Sequence, residues 1–242
     1  MCTVTFMPRR TGYCLAMNRD EKRARAKGLP PALRNLDGRQ VAYPSEPSGG
    51  TWIALNDEGV TFALINWYSV TAKVEVNFVS RGVIIPSLTA ADSPALASTG
   101  LAALSLDRIN PFRLICVFPA SQEITEWSWD LKELVRQTHR WRLQQWVSSA
   151  YDEPRAQQVR GRTFEQARSQ KSLGALDWLR RLHRSHSPQE GPFSTCMHRE
   201  DGATVSYTEV CASRSRARMR HVQGAPCTSF EVSLSDLQPP TS

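Results

Sequence analysis

The sequence predicts an α+β fold in which helices pack over antiparallel sheets. Three observations carry this prediction: strand-and-turn patterning at the start of the chain, helical spacing in its middle, and strand patterning again near its end. A composition of 40% hydrophobic and 22% charged residues is typical of a globular chain. At 242 residues, one domain is expected over residues 1–237, with residues 238–242 as a tail.

Two hairpins are predicted in the first part of the chain. Residues 2–7 and 13–17 are β-prone and flank a turn at Pro8–Gly12, and residues 51–55 and 60–67 flank the turn Asn56–Gly59. Residues 32–50 are expected to form a loop. Two such hairpins so close in sequence indicate an antiparallel sheet.

The rest of the chain alternates between the two element types. Helices are expected over residues 90–106, 131–141 and 154–182, the last with a break near Ser172–Gly174. Strand patterning is found at residues 112–118, 123–129, 193–198, 204–212, 219–222 and 229–234.

Composition and charge argue against several functional classes, namely nucleic-acid-binding, membrane-spanning, secreted and metal-binding proteins. The net charge of +7 is a mild bias that permits an anionic partner without indicating nucleic-acid binding. No apolar run is long enough for a membrane span, and the amino terminus lacks a secretory signal, so a cytoplasmic protein is expected. Six cysteines form no CxxC pair and no zinc pattern, so most are expected to be reduced, and no metal or cofactor is predicted.

Cys2 is the candidate nucleophile. A turn centred near residue 10 would place Cys2 opposite Asn18, so that Cys2, Asn18 and Asp20 share one face of the sheet while Arg19 points to the other. Once Met1 is removed, the thiol of Cys2 and its α-amine, with a pKa near ~8, supply nucleophile and base together. The alternative is an ordinary buried cysteine beside a solvated charged turn.

Three segments resemble a known family. They are Met1-Cys2 with Asn18-Arg19-Asp20-Glu21, then Gly49-Gly50-Thr51-Trp52 continuing to Asn66-Trp67, and more weakly residues 193–199 with 204–208. On these motifs the chain resembles the NRDE family, the relatives of transport and Golgi organisation protein 2. The resemblance implies a four-layer αββα sandwich, the fold of N-terminal-nucleophile (Ntn) hydrolases. Penicillin V acylase and bile salt hydrolase, which it also resembles, are cysteine members that cleave non-peptide amides.

The resemblance and the chemistry of the residues together indicate roles for individual side chains. The candidate catalytic residues are Cys2, Asp20, Asn18 and Asn66, with Asp20 beside the ammonium group and Asn66 donating to the oxyanion. The candidate substrate-binding residues are Trp52, Ser149, Arg19 and Arg216. Two positions depart from the better-known amidases: Met17 stands in place of an arginine, and Ser149 in place of an oxyanion-binding asparagine.

Two functions therefore stay open. The first is hydrolysis of a C–N amide bond in a small acyl amide. The second is a non-catalytic carrier of a lipid-like or haem-type ligand on the same fold. The oligomeric state is not predicted.

Two further motifs allow alternatives. The arginines of residues 214–220 belong either to a solvated sheet edge or to a pocket that binds an anion. His183 and His186 have helical ligand spacing but no acidic third ligand, which argues against a metal site.

Overall fold

The structure is a computed structural model that describes residues 2–238, with thirteen strands and three α-helices in that range. The strands are β1 Cys2–Arg9, β2 Gly12–Lys22, β3 Leu29–Leu36, β4 Arg39–Ser45, β5 Ile53–Asn56, β6 Thr61–Asn66, β7 Phe112–Phe118, β8 Glu123–Trp129, β9 Leu134–His139, β10 Gln144–Ser148, β11 Gly202–Ser213, β12 Arg216–Gln223 and β13 Val232–Leu237. The helices are α1 Pro94–Ala102, α2 Glu153–Arg168 and α3 Leu176–Arg184. Short 3-10 helices lie at Arg81–Val83, Pro86–Leu88 and Leu106–Arg108.

The strands form two antiparallel sheets. One has six strands in the order β10-β1-β2-β11-β12-β13, and the other has seven in the order β3 to β9. A core that includes Phe6, Leu15, Ile65 and Val117 fills the space between the sheets. A second core packs α1 on the outer face of the seven-stranded sheet, and a third packs α2 and α3 on the outer face of the other. The predicted αββα layering is therefore confirmed.

The first hairpin is confirmed, but its predicted register was wrong by one residue. Arg9 pairs with Gly12, which leaves a two-residue turn, and Cys2 therefore lies opposite Arg19 rather than Asn18. Gly12 has a φ of +126°, and a Cβ there would lie 2.0 Å from the carbonyl oxygen of Ala212. Because side chains alternate along a strand, a shift of one residue moves each of them to the opposite face. Cys2 thus shares its face with Arg19, and the prediction that Asn18 and Asp20 lie on the face of Cys2 was wrong.

Residues 32–50 are not the predicted loop. They contain most of β3 and all of β4, joined by a turn in which Asp37 and Gly38 have φ values of +48° and +79°. An Asp-Gly pair with two positive φ angles is a favoured two-residue hairpin turn. The prolines Pro30 and Pro31 are compatible with β3 because this strand lies at the edge of its sheet.

Two other predicted elements were wrong. Residues 131–141, expected to be helical, contain the edge strand β9, because Asp130 accepts hydrogen bonds from the backbone N–H groups of Lys132 and Glu133 and closes a turn. Residues 193–198, expected to be a strand, are irregular apart from an isolated bridge at His198. The expected helices over residues 90–106 and 154–182 are present in shorter form as α1, α2 and α3.

Most of the arginine-rich segment lies in β12, which is the fifth strand of the six-stranded sheet, so the sheet-edge alternative was wrong. Arg216 and Arg218 are nevertheless partly exposed to solvent on this strand. β13 covers it on one side, and Asp236 of β13 accepts hydrogen bonds from Arg216 at 3.0 Å and Arg218 at 2.7 Å. Most of the tail predicted for residues 238–242 lies outside the described residues. Within residues 2–238, no helix has both the length and the apolar character of a membrane span.

Candidate active site

A cavity of about 210 Å³ lies between β1 and β2 of one sheet and β6 of the other. Five of the predicted site residues line it, from both sheets: Cys2, Arg19, Asp20, Trp52 and Asn66. Its wall also includes charged side chains that the sequence did not single out, among them Glu46 and Arg81. The hairpins that carry the two family motifs thus converge on one pocket.

Cys2 begins β1 and is 6% exposed. It lies between Arg19 of β2 and Ser148 of β10, its partners on the two neighbouring strands. Burial raises the pKa of the Cys2 thiol, the Asp20 carboxylate adds to the rise, and Arg19 opposes it. A thiol in this setting stays protonated near neutral pH, so it needs a base to become a nucleophile.

Asp20 lies one position beyond the Cys2–Arg19 pair, on the amino-terminal side of Cys2. Its carboxylate is buried and accepts hydrogen bonds from Arg160 of α2 at 3.1 Å and from the hydroxyl of Thr204 at 2.7 Å. Arg160 also donates to the hydroxyl of Thr3 at 2.7 Å. Neither side chain of the Arg160–Asp20 ion pair is exposed to solvent, so the helix layer fixes the carboxylate in position.

Arg19 faces the pocket, against the expectation that it points away from Cys2. Its guanidinium stacks over the ring of Trp52 at 4.4 Å and is paired with Glu46 at 2.7 Å and Glu21 at 3.3 Å. Stacking and ion pairing together hold this long side chain in one conformation. The contact between Arg19 and Trp52 thereby connects the Asn18–Glu21 motif to the Gly49–Trp52 motif.

Asn18 does not line the pocket, because it points to the outer face of the sheet. Its amide donates to the backbone carbonyls of His183 at 2.9 Å and Thr195 at 2.8 Å, and its oxygen lies 3.1 Å from His183 Nδ1. The other ring nitrogen of His183 contacts Thr5 at 3.0 Å. The expectation that Asn18 flanks the thiol was wrong, and these contacts tie α3 to the sheet.

His183 makes the stability of the fold sensitive to acid. Burial lowers its pKa to about 3, and the positive charge of Arg160 contributes to this. Since an unfolded histidine titrates near ~6.5, the unfolded chain binds the additional proton as the pH falls below that value, and stability decreases. We expect this residue alone to reduce the free energy of unfolding by about 2 kcal/mol between pH 7 and pH 5.

Urea unfolding at pH 7, 6 and 5 measures this dependence. His183→Gln is expected to be less stable overall but to have a shallower slope, because the titrating group is gone. Carboxylates such as Glu126, whose pKa is lowered to about 2 largely by its hydrogen bonds to His139 and Arg113 against the effect of burial, lose their contribution at lower pH. An unchanged slope in the variant would contradict the assignment.

The remaining predicted residues are divided among three places. Asn66 ends β6 at the pocket, and its amide donates to the hydroxyl of Tyr68 at 2.6 Å. Ser149 follows β10, one position beyond the partner of Cys2, and its hydroxyl accepts from the N–H of Tyr151 at 3.3 Å. Arg216 lines a different cavity with Arg9 and Arg180, so it is not brought together with Cys2.

Glycine is required at each of the first two positions of the Gly49–Trp52 motif for a different structural reason. Gly49 has a φ of +90°, and Gly50 packs so closely on Gly82 that a Cβ on Gly82 would lie 2.9 Å from the Gly50 Cα. The N–H of Thr51 donates to the carbonyl of Gly82 at 3.1 Å. This contact fixes the segment that carries Arg81 against the pocket, as expected for glycines that allow close backbone approach.

Arg81 was missed by the sequence reasoning. Its Nη1 donates to the carbonyl of Pro111 at 2.7 Å, and among residues 2–238 no carboxylate lies within 4.0 Å of its guanidinium. Burial lowers the pKa of Arg81, yet a guanidinium stays protonated in proteins. Arg81 and Gly82 lie in a segment without strand or helix periodicity. The position of Arg81 at the pocket is therefore visible only in the tertiary structure.

Comparison with known proteins supports both motif and fold. A family model described as Transport and Golgi organisation 2 matches residues 1–172. No curated protein sequence matches the chain. A cysteine-to-alanine mutant of conjugated bile acid hydrolase from Clostridium perfringens is a structural neighbour at a TM-score of 0.63 and 7% identity, with 98% of this chain and 92% of that chain covered.

Two further solved structures share the fold. Another variant of the Clostridium perfringens enzyme has a TM-score of 0.60 at 6% identity, with 100% and 98% of the two chains covered. Penicillin V acylase from Agrobacterium tumefaciens has a TM-score of 0.57 at 10% identity, with 98% and 86% covered. At such identities the similarity shows the fold, and the predicted Ntn-hydrolase-like sandwich is confirmed.

Proposed function

The chain belongs to the Transport and Golgi organisation 2 family, which is the NRDE family that its sequence motifs indicated. We propose that it is a cysteine Ntn hydrolase that cleaves a non-peptide C–N amide bond. The observation that carries the proposal is the position of Cys2. It begins β1 inside a pocket, with Asp20 one position beyond it on the neighbouring strand. Met1 lies outside the described residues, and its removal is part of the proposal.

The proposed reaction proceeds through a thioester. The α-amine of Cys2 accepts the thiol proton, and the thiolate attacks the amide carbonyl to form a tetrahedral oxyanion. When the C–N bond breaks, the leaving amine takes the proton and departs, and the acyl group remains on the sulfur. Water, activated by the same α-amine, then hydrolyses the thioester, releases the carboxylic acid and restores the thiol.

Neighbouring residues would stabilise the ammonium group and the oxyanion that form during this reaction. Asp20 lies one position beyond the β2 partner of Cys2, toward the amino terminus of Cys2, and its carboxylate would hold the ammonium group that forms on proton transfer. Asn66 lines the pocket with an amide that can donate to the oxyanion. Ser149 follows the β1 neighbour β10 and would supply a second donor, with the shorter reach of a hydroxyl.

The charges of the pocket indicate an anionic substrate. Arg19 and Arg25 are each paired with Glu21 and Glu46, so these four side chains compensate one another. Arg81 has no carboxylate within 4.0 Å among residues 2–238, and a carboxylate is the ligand that matches its forked donors. The cavity of about 210 Å³ is smaller than the ~300–1,000 Å³ typical of sites for drug-sized ligands. A compact acyl amide with a carboxylate fits both features.

A paired substrate series tests the charge preference. N-acyl amino acids are expected to be hydrolysed with a higher kcat/KM than the corresponding N-acyl amino acid amides, which lack the carboxylate. Arg81→Met is expected to reduce kcat/KM about 10-fold or more for the acids and to leave the neutral amides within a few-fold, because only the acids lose a charge-assisted hydrogen bond. Equal losses for both series would contradict a binding role for Arg81.

The carrier function is the outcome that would replace this proposal. It is indicated if a lipid-like ligand or haem copurifies equally with wild type and Cys2→Ser and no amide is turned over. Mass spectrometry of ligands extracted from both proteins distinguishes the two functions. We retain the cytoplasm as the proposed location, since Cys2 must stay reduced in order to act as a nucleophile. Cys14 and Cys211 are joined by a disulfide, whereas Cys2, Cys116, Cys196 and Cys227 are free.

A further inference from the structure

Four side chains that are scattered in sequence meet at a second site, outside the pocket. His186 follows α3, Cys196 and His198 lie in the irregular segment before β11, and Cys227 lies in the turn after β12. Their ligand atoms all lie within 4.8 Å of one another. All four residues lie beyond residues 1–172, the part that the family model matches.

The distances match tetrahedral coordination of a metal ion. His198 Nε2 lies 3.5 Å from Cys196 Sγ and 3.3 Å from Cys227 Sγ, and the two sulfurs are 3.4 Å apart. With Zn–S near ~2.3 Å and Zn–N near ~2.0–2.1 Å, tetrahedral angles give roughly 3.6 Å from sulfur to nitrogen and roughly 3.8 Å between sulfurs. Small adjustments of the sulfur atoms would therefore complete the geometry.

His186 supplies the fourth ligand and has a partner on its far side. Its Nε2 is buried with no hydrogen-bond partner among the described residues, and its Nδ1 lies 3.7 Å from a carboxylate oxygen of Glu190. The rings of His186 and His198 are perpendicular, with their centroids 5.0 Å apart. A metal-bound histidine commonly has its other nitrogen turned to a carboxylate, which orients the ring.

We infer that His186, Cys196, His198 and Cys227 form a structural zinc site. Two thiolates and two neutral imidazoles are a ligand set of structural zinc centres, and four protein ligands leave no open position for a substrate. Binding releases the two thiol protons to solvent, and the two negative sulfurs neutralise the charge of the Zn²⁺ ion. The site does not depend on the proposed hydrolase activity.

The zinc site would hold the segment that supports the candidate active site. The carbonyl of Thr195, beside Cys196, accepts a hydrogen bond from the side-chain amide of Asn18. The backbone of Met197 makes two hydrogen bonds with Thr204. Thr204 in turn donates to Asp20 at 2.7 Å. Anchoring residues 195–198 through a metal would thus fix the position of Asp20 from the outer side of the sheet.

Metal analysis of the full chain tests this inference. Protein purified without chelators and reduced with a phosphine is expected to contain one zinc per chain by elemental analysis. Cys227→Ser and His198→Gln are expected to lose most of it, whereas Cys116→Ala, which alters a free cysteine in β7, keeps it. Removing the metal from wild type is expected to lower Tm by about 5 °C or more, and adding Zn²⁺ back restores it.

A second variant keeps the test decisive if the ligand variants fail to fold. Glu190 is exposed, so Glu190→Gln is expected to fold and to bind zinc roughly 10-fold more weakly in a chelator competition. Three results would overturn the inference: reduced wild type that takes up no zinc, equal zinc content in Cys227→Ser and Cys116→Ala, or a metal-free Cys196–Cys227 disulfide in the protein as isolated.

Discussion

Replacing Arg160 with methionine is expected to lower the free energy of unfolding by about 3–5 kcal/mol. The substitution removes the Arg160 guanidinium from the fully buried Asp20 carboxylate and with it a charge-assisted hydrogen bond of 3.1 Å, while the hydrogen bond from Thr204 is kept. A buried charge without its partner is costly because neither water nor the protein compensates it. Urea unfolding followed by circular dichroism at pH 7 measures the loss.

Two further variants separate this effect from a general weakening of α2. Arg162→Met changes an exposed arginine of the same helix and is expected to stay within about 0.5 kcal/mol of wild type. Arg160→Met combined with Asp20→Leu removes both charges and is expected to recover much of the lost stability. If the double variant is as unstable as the sum of the two single variants, the ion pair is not what holds α2 to the sheet.

The second large effect concerns catalysis. Cys2→Ala is expected to reduce kcat for the best N-acyl amino acid by at least ~10³-fold, because it removes the attacking atom and keeps the α-amine. Cys2→Ser retains a weaker nucleophile and is expected to show slight residual turnover. Both residues are small enough for Met1 removal to proceed as in wild type. Amine release followed by mass spectrometry measures the rate.

The matched control is Cys116, the other free cysteine that lies in a strand within residues 2–238. Cys116→Ala alters β7 on the outer face of the seven-stranded sheet, among residues such as Phe62 and Leu114. We expect it to reduce stability but to keep kcat within a few-fold of wild type. Turnover that survives in Cys2→Ala at the wild-type rate would rule out Cys2 as the nucleophile.

Local sequence signals predicted the two hairpins and the pocket residues they carry. The Asn18–Glu21 and Gly49–Trp52 motifs each lie beside a strong turn signal, so their strands could be paired from the sequence. The face of the sheet on which each side chain lies could not be predicted, because a turn one residue shorter than expected shifts the strand register by one residue. That single step exchanged the expected positions of Asn18 and Arg19.

Contacts across long sequence separations were beyond the sequence patterns. Arg160 is an ordinary charged position in a helical pattern until α2 packs on β1 and β2, where it meets Thr3 and Asp20. The Cys196–His198 spacing alone indicates nothing, and the cluster becomes visible only when the turn after β12 brings Cys227 beside it. Sequence reasoning identified local elements, whereas packing between layers assembled the sites.

The nature of Cys2 is tested most directly by its reactivity. The protein is treated briefly with less than one equivalent of iodoacetate, an anionic alkylating agent that the guanidinium of Arg81 would attract, and is then digested with trypsin. We expect a peptide of residues 2–9 that begins at Cys2, lacks Met1 and carries most of the carboxymethyl label. A peptide that retains Met1, or a label found mainly on Cys227 with Cys2 unmodified, would contradict it.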